Sequence, residues 1–222
     1  MATRIRALAF TTLFASLSAT SALAEGHTVS IDSARFYVGV QGATGPALND
    51  LSYSTSNNAG DVKLDRAQTL GITAGVFLNE NWRVGVDVNY FKIDLDEVTG
   101  TAVGTVQANG DTDGYNAFID VGYETMLSDK FGVFAEAGIG FADSEVNAAL
   151  SGGAGTLSGS DRILVGKVGF GSTYQFADNL ELFSKYNYVF GKDADYFSSI
   201  DGVAQAEQRM HVFVSGLRLK LN

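Results

Sequence analysis

Hydrophobic and polar residues alternate one by one through long stretches of this chain. Between Trp82 and Tyr90 every second residue is apolar, and the residues between them are polar or glycine. Residues 115–123 and 131–141 repeat this pattern, except that Phe118 and Phe134 each occupy one of the intervening positions. A period of two residues is that of a β-strand whose two faces meet different surroundings. The alternation therefore predicts an all-β protein.

Three short polar breaks divide the alternating segments, and they recur at a constant distance. They are residues 79–81, 128–130 and 177–179, and the acids at their centres stand 49 positions apart. Four units of this length fill the chain after its first thirty residues, and each unit holds two alternating segments. The repeat predicts eight strands in four hairpins, which form an antiparallel up-and-down β-barrel.

Within each unit, the two segments are separated by a longer stretch rich in Gly, Ser, Asn and Asp. These stretches, which we expect to be loops, are residues 43–65, 94–112, 143–161 and 191–207. Short turns at one end and long loops at the other are the organisation of transmembrane barrels, whose short turns are periplasmic and whose long loops are extracellular.

The alternation by itself also fits a secreted ligand-binding barrel, which is apolar inside, whereas a membrane barrel is apolar outside. The apolar face here carries aromatic residues near both of its ends and aliphatic residues between them. Such girdles match the two interfaces of a bilayer, so the membrane barrel is favoured. The girdle residues are Trp82, Tyr123, Phe131 and Tyr174 toward the turns, and Tyr90, Phe141, Tyr188 and Phe190 toward the loops.

The start of the chain has the features of an export signal. Arg4 and Arg6 precede an apolar run over residues 7–23, and Ala22-Leu23-Ala24 supplies a small-x-small cleavage site. We expect a cleaved signal peptide over residues 1–24 and one barrel domain over residues 25–222. No later apolar run reaches the roughly 18 residues of a transmembrane helix.

Composition narrows the function further. Loss of two arginines with the signal peptide leaves 13 basic against 25 acidic residues, a net charge of −12, which argues against nucleic-acid binding. The chain has no cysteine, so disulfides and thiol chemistry are excluded, and its single proline fits a protein built from paired strands.

Several segments also resemble a known family. Residues 131–141 (FGVFAEAGIGF) look like the fifth strand of the OmpA-like and opacity-type eight-stranded outer-membrane proteins. Residues 169–180 (GFGSTYQFADNL) and 186–188 (YNY) are similar to that family's sixth and seventh strands, and residues 216–222 (GLRLKLN) to its last strand. The resemblance implies a small, porin-like barrel in the outer membrane of a Gram-negative cell, and a fold more than an activity.

The face opposite the apolar one carries equal numbers of acids and bases. Asp87, Glu136 and Lys185 each follow their turn acid by seven residues, so they should lie at one height, with Lys185 between the two carboxylates. Charges inside so narrow a barrel must pair. A structural plug is the first interpretation, and a gated ion path whose pairs rearrange is the second. The ten charged residues are Arg83, Asp87, Asp120, Glu124, Glu136, Lys167, Glu181, Lys185, Arg218 and Lys220.

Two other kinds of chemistry are weaker hypotheses. A hydrolase acting on lipid A needs a base, a nucleophile and an orienting group close together. His211 lies on the lipid-facing side of its predicted strand, with no serine two residues after it and no carboxylate placed to orient it. Asn109, Asp111 and Asp113, with Asp120 at the twelfth position, have the spacing of a calcium loop. Because Asp120 falls on the inward side of a predicted strand, we expect no metal or other cofactor.

The leading hypothesis is a non-enzymatic integral outer-membrane protein with a role in envelope integrity and surface display. The alternatives are a small channel for ions or small hydrophobic solutes, similar to the OmpW-like barrels, and an adhesin that acts through its loops. Expected partners are outer-membrane lipid and lipopolysaccharide, with periplasmic chaperones and the barrel-assembly machinery during biogenesis. The sequence identifies no external loop partner.

Overall fold

The computed structural model describes residues 35–47, 50–55, 59–101, 104–153, 155–199 and 202–221. The predicted signal peptide lies outside these residues. Eleven strands make up most of the described chain, and a 3-10 turn, Ser151–Gly153, joins two of them. The strands are β1 (Arg35–Pro46), β2 (Leu51–Ser54), β3 (Ala59–Phe77), β4 (Trp82–Gly100), β5 (Gly104–Met126), β6 (Phe131–Leu150), β7 (Gly155–Ala177), β8 (Leu180–Gly191), β9 (Ala194–Ser198), β10 (Gly202–Ala206) and β11 (Arg209–Leu221).

Eight of these strands close a ring that we call the lower ring. Its order is β1-β3-β4-β5-β6-β7-β8-β11, every neighbouring pair is antiparallel, and β11 closes the circle by pairing with β1. The connections at 78–81, 127–130 and 178–179 join consecutive strands at one end. The predicted eight-stranded antiparallel up-and-down barrel is confirmed.

The short turns form where the polar breaks of the sequence predict them. The Asn79 side chain accepts hydrogen bonds from the backbone N–H groups of Asn81 at 2.9 Å and Trp82 at 2.8 Å. Ser128 Oγ accepts one from the Phe131 N–H at 3.2 Å. Short polar side chains that bond nearby backbone in this way favour turns.

At the other end the strands continue far beyond the lower ring. The pairing of β4 with β5 runs through Asp94↔Asp111 to Gly100↔Gly104, and that of β6 with β7 runs to Leu150↔Gly155. Most of residues 94–112 and 143–161, which we expected to be loops, is therefore paired strand. The expected loops at 43–65 and 191–207 likewise contain the end of β1, the start of β3, and all of β2, β9 and β10. Long β3 to β7 form the wall of an upper ring that β2, β10 and β9 complete, because β2 pairs with β3 and β9 pairs with β7.

Between the two rings lies a break in the wall that we call the seam. Pairing of β1 with β11 ends at Gly42↔Ser215. Among the residues that the structure describes, the wall next pairs at Tyr53↔Ala206 of β2 and β10, beside the bond from Glu207 N–H to Ser52 O. Residues 43–46 pair with β3 and not with β11. Successive residues of a strand direct their backbone N–H and C=O groups to opposite sides. Because the Ala47 N–H donates to Asp65 O of β3, the backbone of Pro46 is directed toward the seam. Proline has no N–H to donate there.

The outer surface of the lower ring is an apolar belt. Ile119, Ile139 and Phe170 have about three fifths of their surface exposed, although they are large hydrophobic residues in regular strand. Residues with the opposite parity point into the ring and are buried. An apolar exterior about nine residues tall is what a bilayer requires, so the lower ring is the membrane-spanning part.

The glycines of the lower ring make room for the side chains inside it. A Cβ atom on Gly85 would lie 2.3 Å from the hydroxyl oxygen of Tyr37, and one on Gly138 would lie 3.1 Å from Lys167 Cε. Glycine at these inward positions is therefore required by the close approach of a neighbouring side chain.

The apolar face changes sides above the belt. Along β4 the apolar residues point outward as far as Tyr90, whereas from Phe91 onward they point inward, as Ile93 and Leu95 do. The outside of the upper ring carries ion pairs, among them Lys92–Asp111 at 2.8 Å and Lys63–Asp96 at 3.1 Å. The upper ring thus resembles a water-soluble barrel, because its inside is apolar and its outside is charged. No helix long and apolar enough to cross a membrane occurs in the described residues.

Candidate functional site in the barrel interior

All ten charged residues of the inward face lie inside the lower ring. Their side chains are 5% exposed or less, except that of Lys220, which is 17% exposed near the turn end. Five are acids and five are bases, so the group is neutral as a whole. We call this cluster the plug.

The centre of the plug is a lysine pair between carboxylates. Lys185 Nζ lies 3.0 Å from Asp87 Oδ2 and 2.9 Å from Glu136 Oε1. Lys167 Nζ forms an ion pair with Asp87 and also lies 3.2 Å from both Asp120 Oδ2 and Glu136 Oε1. The four strands that carry Asp87, Glu136, Lys167 and Lys185 are thereby joined across the lumen.

Two arginines extend the plug toward the turn end. Arg83 donates to Glu136 Oε2 at 2.7 Å and to the Tyr37 hydroxyl at 3.2 Å. Arg218 donates to Glu124 Oε2 at 2.6 Å and forms an ion pair with Glu181, which also binds Lys220 Nζ at 2.7 Å. Each buried charge therefore has an opposite charge within reach, although Arg83 Nε and Asp120 Oδ1 have no hydrogen-bond partner among the described residues.

Aromatic rings fill the space between the ion pairs, and sequence reasoning did not single them out. The Arg83 guanidinium lies 5.1 Å from the centre of the Phe134 ring, and Lys167 Nζ lies 5.2 Å from that of Phe118. The Arg218 guanidinium lies 5.1 Å from the centre of the Tyr37 ring. These distances are within cation–π range. Their inward parity among glycines and charges was the signal that could have identified them.

A layer of amides covers the plug on the side of the upper ring. Gln41 Nε2 donates to Asn89 Oδ1 at 2.7 Å, and Asn89 Nδ2 donates to Asn116 Oδ1 at 2.9 Å. Asn187 lies in the same region, and its Oδ1 has no hydrogen-bond partner among the described residues, nor has Gln41 Oε1. The amide layer is thus polar but incompletely bonded.

Above the amides, the upper ring encloses a cavity of about 170 Å³. Its walls are mostly aliphatic, with Ile93, Leu95, Val98 and Val146 among the lining residues, and its lower end meets Asp87 and Lys167 of the plug. Tyr196 also lines it and shares a hydrogen bond of 2.7 Å with Ser144. Burial raises the pKa of the Tyr196 hydroxyl, so this group stays protonated at neutral pH.

The girdle residues lie on the outer face of the strands that carry them. Trp82 and Tyr123 are register partners near the turns and pack edge to face with ring centres 5.2 Å apart, and Phe131 pairs with Tyr174 beside them. At the other edge of the belt Tyr90 pairs with Tyr115. Phe141 and Phe190 are exposed there, and Tyr188, half-buried, stacks with Phe190.

The structure separates the residues of the predicted calcium loop and places His211 outside the lumen. Asn109, Asp111 and Asp113 lie on the outer face of β5, whereas Asp120 points into the lumen, so the four cannot bind one cation and the calcium loop is excluded. His211 lies on the outer face of β11, where its Nδ1 is hydrogen-bonded to the Tyr186 hydroxyl and its ring lies 4.9 Å from that of Tyr188. This is the place of an interface residue.

Several solved structures of outer-membrane proteins are similar to this chain in fold. A major outer membrane protein of Thermus thermophilus is 11% identical, with 85% of this chain and 100% of that chain covered and a TM-score of 0.51. Neisserial surface protein A is 16% identical, with 84% and 97% covered and a TM-score of 0.49. The attachment invasion locus protein Ail of Yersinia pestis is 13% identical, with 85% and 97% covered and a TM-score of 0.43. At these identities the likeness concerns the fold alone.

Comparison of the sequence with family models identifies the family. No curated protein is similar enough to it to count as a relative. The family model of the outer membrane protein beta-barrel domain, however, matches residues 10–209, which is most of the chain. With the apolar belt, the eight-stranded ring and this match in agreement, the chain belongs to the outer membrane protein beta-barrel domain family and is a protein of the outer membrane.

Proposed function

We propose that this protein is a non-enzymatic, non-conducting barrel that contributes to envelope integrity and presents its upper ring at the cell surface. The observation that carries this proposal is the plug. Each of its ten charged groups lies within 3.2 Å of an opposite charge inside the lumen, and aromatic rings fill the space between the ion pairs. An ion entering this space would have to displace a compensated buried charge, which is costly.

The ion pairs of the plug also stiffen the barrel wall. Lys167 and Lys185 join β7 and β8 to Asp87 of β4 on the other side of the ring and to Glu136 of the neighbouring β6, so the strands are held together across the lumen as well as along the wall. A cross-braced wall resists the separation of strands, which is the property required of a structural component of the membrane.

Conductance of the purified protein in a planar lipid bilayer tests the proposal. We expect no steady unit conductance from the protein, nor from Lys185→Met. The matched control is Lys63→Met, which removes an exposed lysine of the upper ring paired with Asp96. Steady channels whose ion selectivity shifts in Lys185→Met, but not in Lys63→Met, would establish the alternative of an ion channel.

A deletion strain tests the role in the envelope. We expect it to become more permeable to detergents and large antibiotics, and to recover when the gene is supplied in trans. An unchanged lipid A mass spectrum is expected from the same strain. A changed spectrum would instead favour a lipid A enzyme.

The outer surface suggests how lipopolysaccharide is held. Four cations, Arg66, Lys92, Arg162 and Arg209, point outward just beyond the upper edge of the belt, where the side chains of Arg162 and Arg209 are 71% and 62% exposed. Three of them pair with carboxylates, Lys92 with Asp111, Arg162 with Asp143 and Arg209 with Glu207. We propose that the four cations also contact the phosphate groups of lipopolysaccharide. Export through a cleaved signal peptide, delivery by periplasmic chaperones and insertion by the barrel-assembly machinery complete the proposal.

A further inference from the structure

The cavity of the upper ring has no part in the closed barrel proposed above. It lies outside the apolar belt, it is closed toward the membrane by the amide layer and the plug, and its interior is apolar where the plug is charged. A plain spacer at the cell surface would need no such interior. The cavity therefore calls for its own explanation.

Size and lining define what could occupy the cavity. A cavity of about 150 Å³ with aliphatic walls is large enough to bind benzene, and the present one measures about 170 Å³. Ile93, Leu95, Val98 and Val146 offer dispersion contacts but no hydrogen bonds. The occupant is thus a compact apolar body, of the order of one or two aromatic rings.

The amide layer adds a polar requirement at one end. Gln41 is 4% exposed and Asn187 is 8% exposed, both line the cavity, and each has a carbonyl oxygen without a hydrogen-bond partner among the described residues. Buried polar atoms are nearly always bonded, so an acceptor left open beside an apolar cavity indicates a donor that belongs there. A hydroxyl or amine on the occupant would supply it.

From these observations we infer that the upper ring is a binding site for a small aromatic or aliphatic molecule that carries one hydrogen-bond donor. The site is a cup and not a passage, because the plug lies directly beneath it. The donor end faces Gln41 and Asn187, and the apolar body lies between β4 and β6. The inference is independent of the envelope role, and either could hold without the other.

The test uses 1-naphthol and naphthalene, which share one apolar body and differ in a hydroxyl, with the full barrel in lipid nanodiscs. Isothermal titration calorimetry should show one saturable site for 1-naphthol and binding of naphthalene weaker by roughly three- to tenfold, the value of one net hydrogen bond. Gln41→Leu should reduce this preference. Equal binding of the two probes would overturn the proposed ligand class.

Two variants of β6 distinguish binding of the probe in the cavity from its uptake into lipid. Ala142 lines the cavity, so Ala142→Trp should weaken 1-naphthol binding by about tenfold or more, since the new side chain occupies the site. Ala149 is exposed on the outer face of the same strand, so Ala149→Trp should bind as the unmodified protein does. Equal uptake by all three proteins would mean partition into the bilayer only and would overturn the inference.

A measurement on the unmodified protein guards against a variant that does not fold. Nuclear Overhauser effects from 1-naphthol should reach the methyl groups of Ile93 and Val146 in the cavity. Contacts confined to the methyl groups of Val86 and Ile139 on the belt would place the probe in the lipid and overturn the inference.

Discussion

The ammonium group of Lys185 donates to the carboxylate of Glu136 at 2.9 Å, although the two residues stand 49 positions apart in the chain. That separation is the repeat length of the sequence, so corresponding positions in successive hairpins meet inside the lower ring. Glu136 also binds Lys167 and Arg83, which makes it the carboxylate shared by three cations.

Removal of this carboxylate should weaken the barrel far more than truncation of a residue on the belt. We expect Glu136→Ala to lower the free energy of unfolding by about 3–5 kcal/mol, because it leaves buried cations without compensation. Val86→Ala removes two methyl groups that face lipid, and it should cost much less. Denaturant unfolding in micelles, followed by the fluorescence of Trp82, measures both. Equal losses would contradict the assignment of inside and outside.

The contact between Gly85 and Tyr37 gives a second prediction. Gly85→Ala places a Cβ atom 2.3 Å from the Tyr37 hydroxyl oxygen, so it should destabilise the barrel by about 1–3 kcal/mol. Tyr37→Phe removes that oxygen together with its hydrogen bond to Arg83. In the double variant the clash is relieved. Its loss of unfolding free energy should therefore be smaller than the sum of the losses of the two single variants. Strict additivity would mean that the two residues do not meet.

The sequence was sufficient for the lower ring because its two faces differ so sharply in polarity. Equal offsets from the turn acids predicted that Asp87, Glu136 and Lys185 share one height, and both carboxylates lie within 3.0 Å of the lysine. The identity of each partner was not predictable, because long side chains reach across several strands. Tyr37 was missed because a lone inward aromatic residue has no pattern of its own.

The upper ring was not foreseen because alternation there changes phase. Along β4 the apolar parity passes from even to odd numbers between Tyr90 and Phe91, and the stretch that follows is rich in Asp and Glu. A break in phase followed by polar residues is typical of a loop. Here it marks the height at which the strand leaves hydrocarbon for water, where the apolar face must turn inward.

Chemical labelling can establish that the upper ring is strand and not loop. The chain has no cysteine, so a single introduced thiol is unique. A membrane-impermeant maleimide added to whole cells should react quickly with Ala149→Cys, whose side chain points outward, and slowly with Ala148→Cys, which is 8% exposed and points inward. Equal rates at the two neighbouring positions would indicate a flexible loop.

The seam should be the least protected part of the wall. Thr44 lies in one row with Gln68, Lys92 and Asp113, but its backbone faces the seam. Its amide should exchange with deuterium at least about tenfold faster than the amides of Lys92 and Asp113, which lie in strands paired on both sides. Hydrogen exchange measured by NMR in micelles tests this. Similar protection at all three positions would show that the wall is closed there.

The change of apolar face along β4 also determines how deeply the molecule is seated. If the barrel sank by one pair of residues, Lys92 and Arg162 would enter hydrocarbon, at a cost that for lysine or arginine reaches roughly 2–4 kcal/mol at the midplane of a bilayer. If it rose by the same distance, Tyr90 and Phe141 would leave the lipid. The residue at which the apolar face changes side therefore determines the depth of the barrel in the membrane. This alone keeps the cup above the membrane surface.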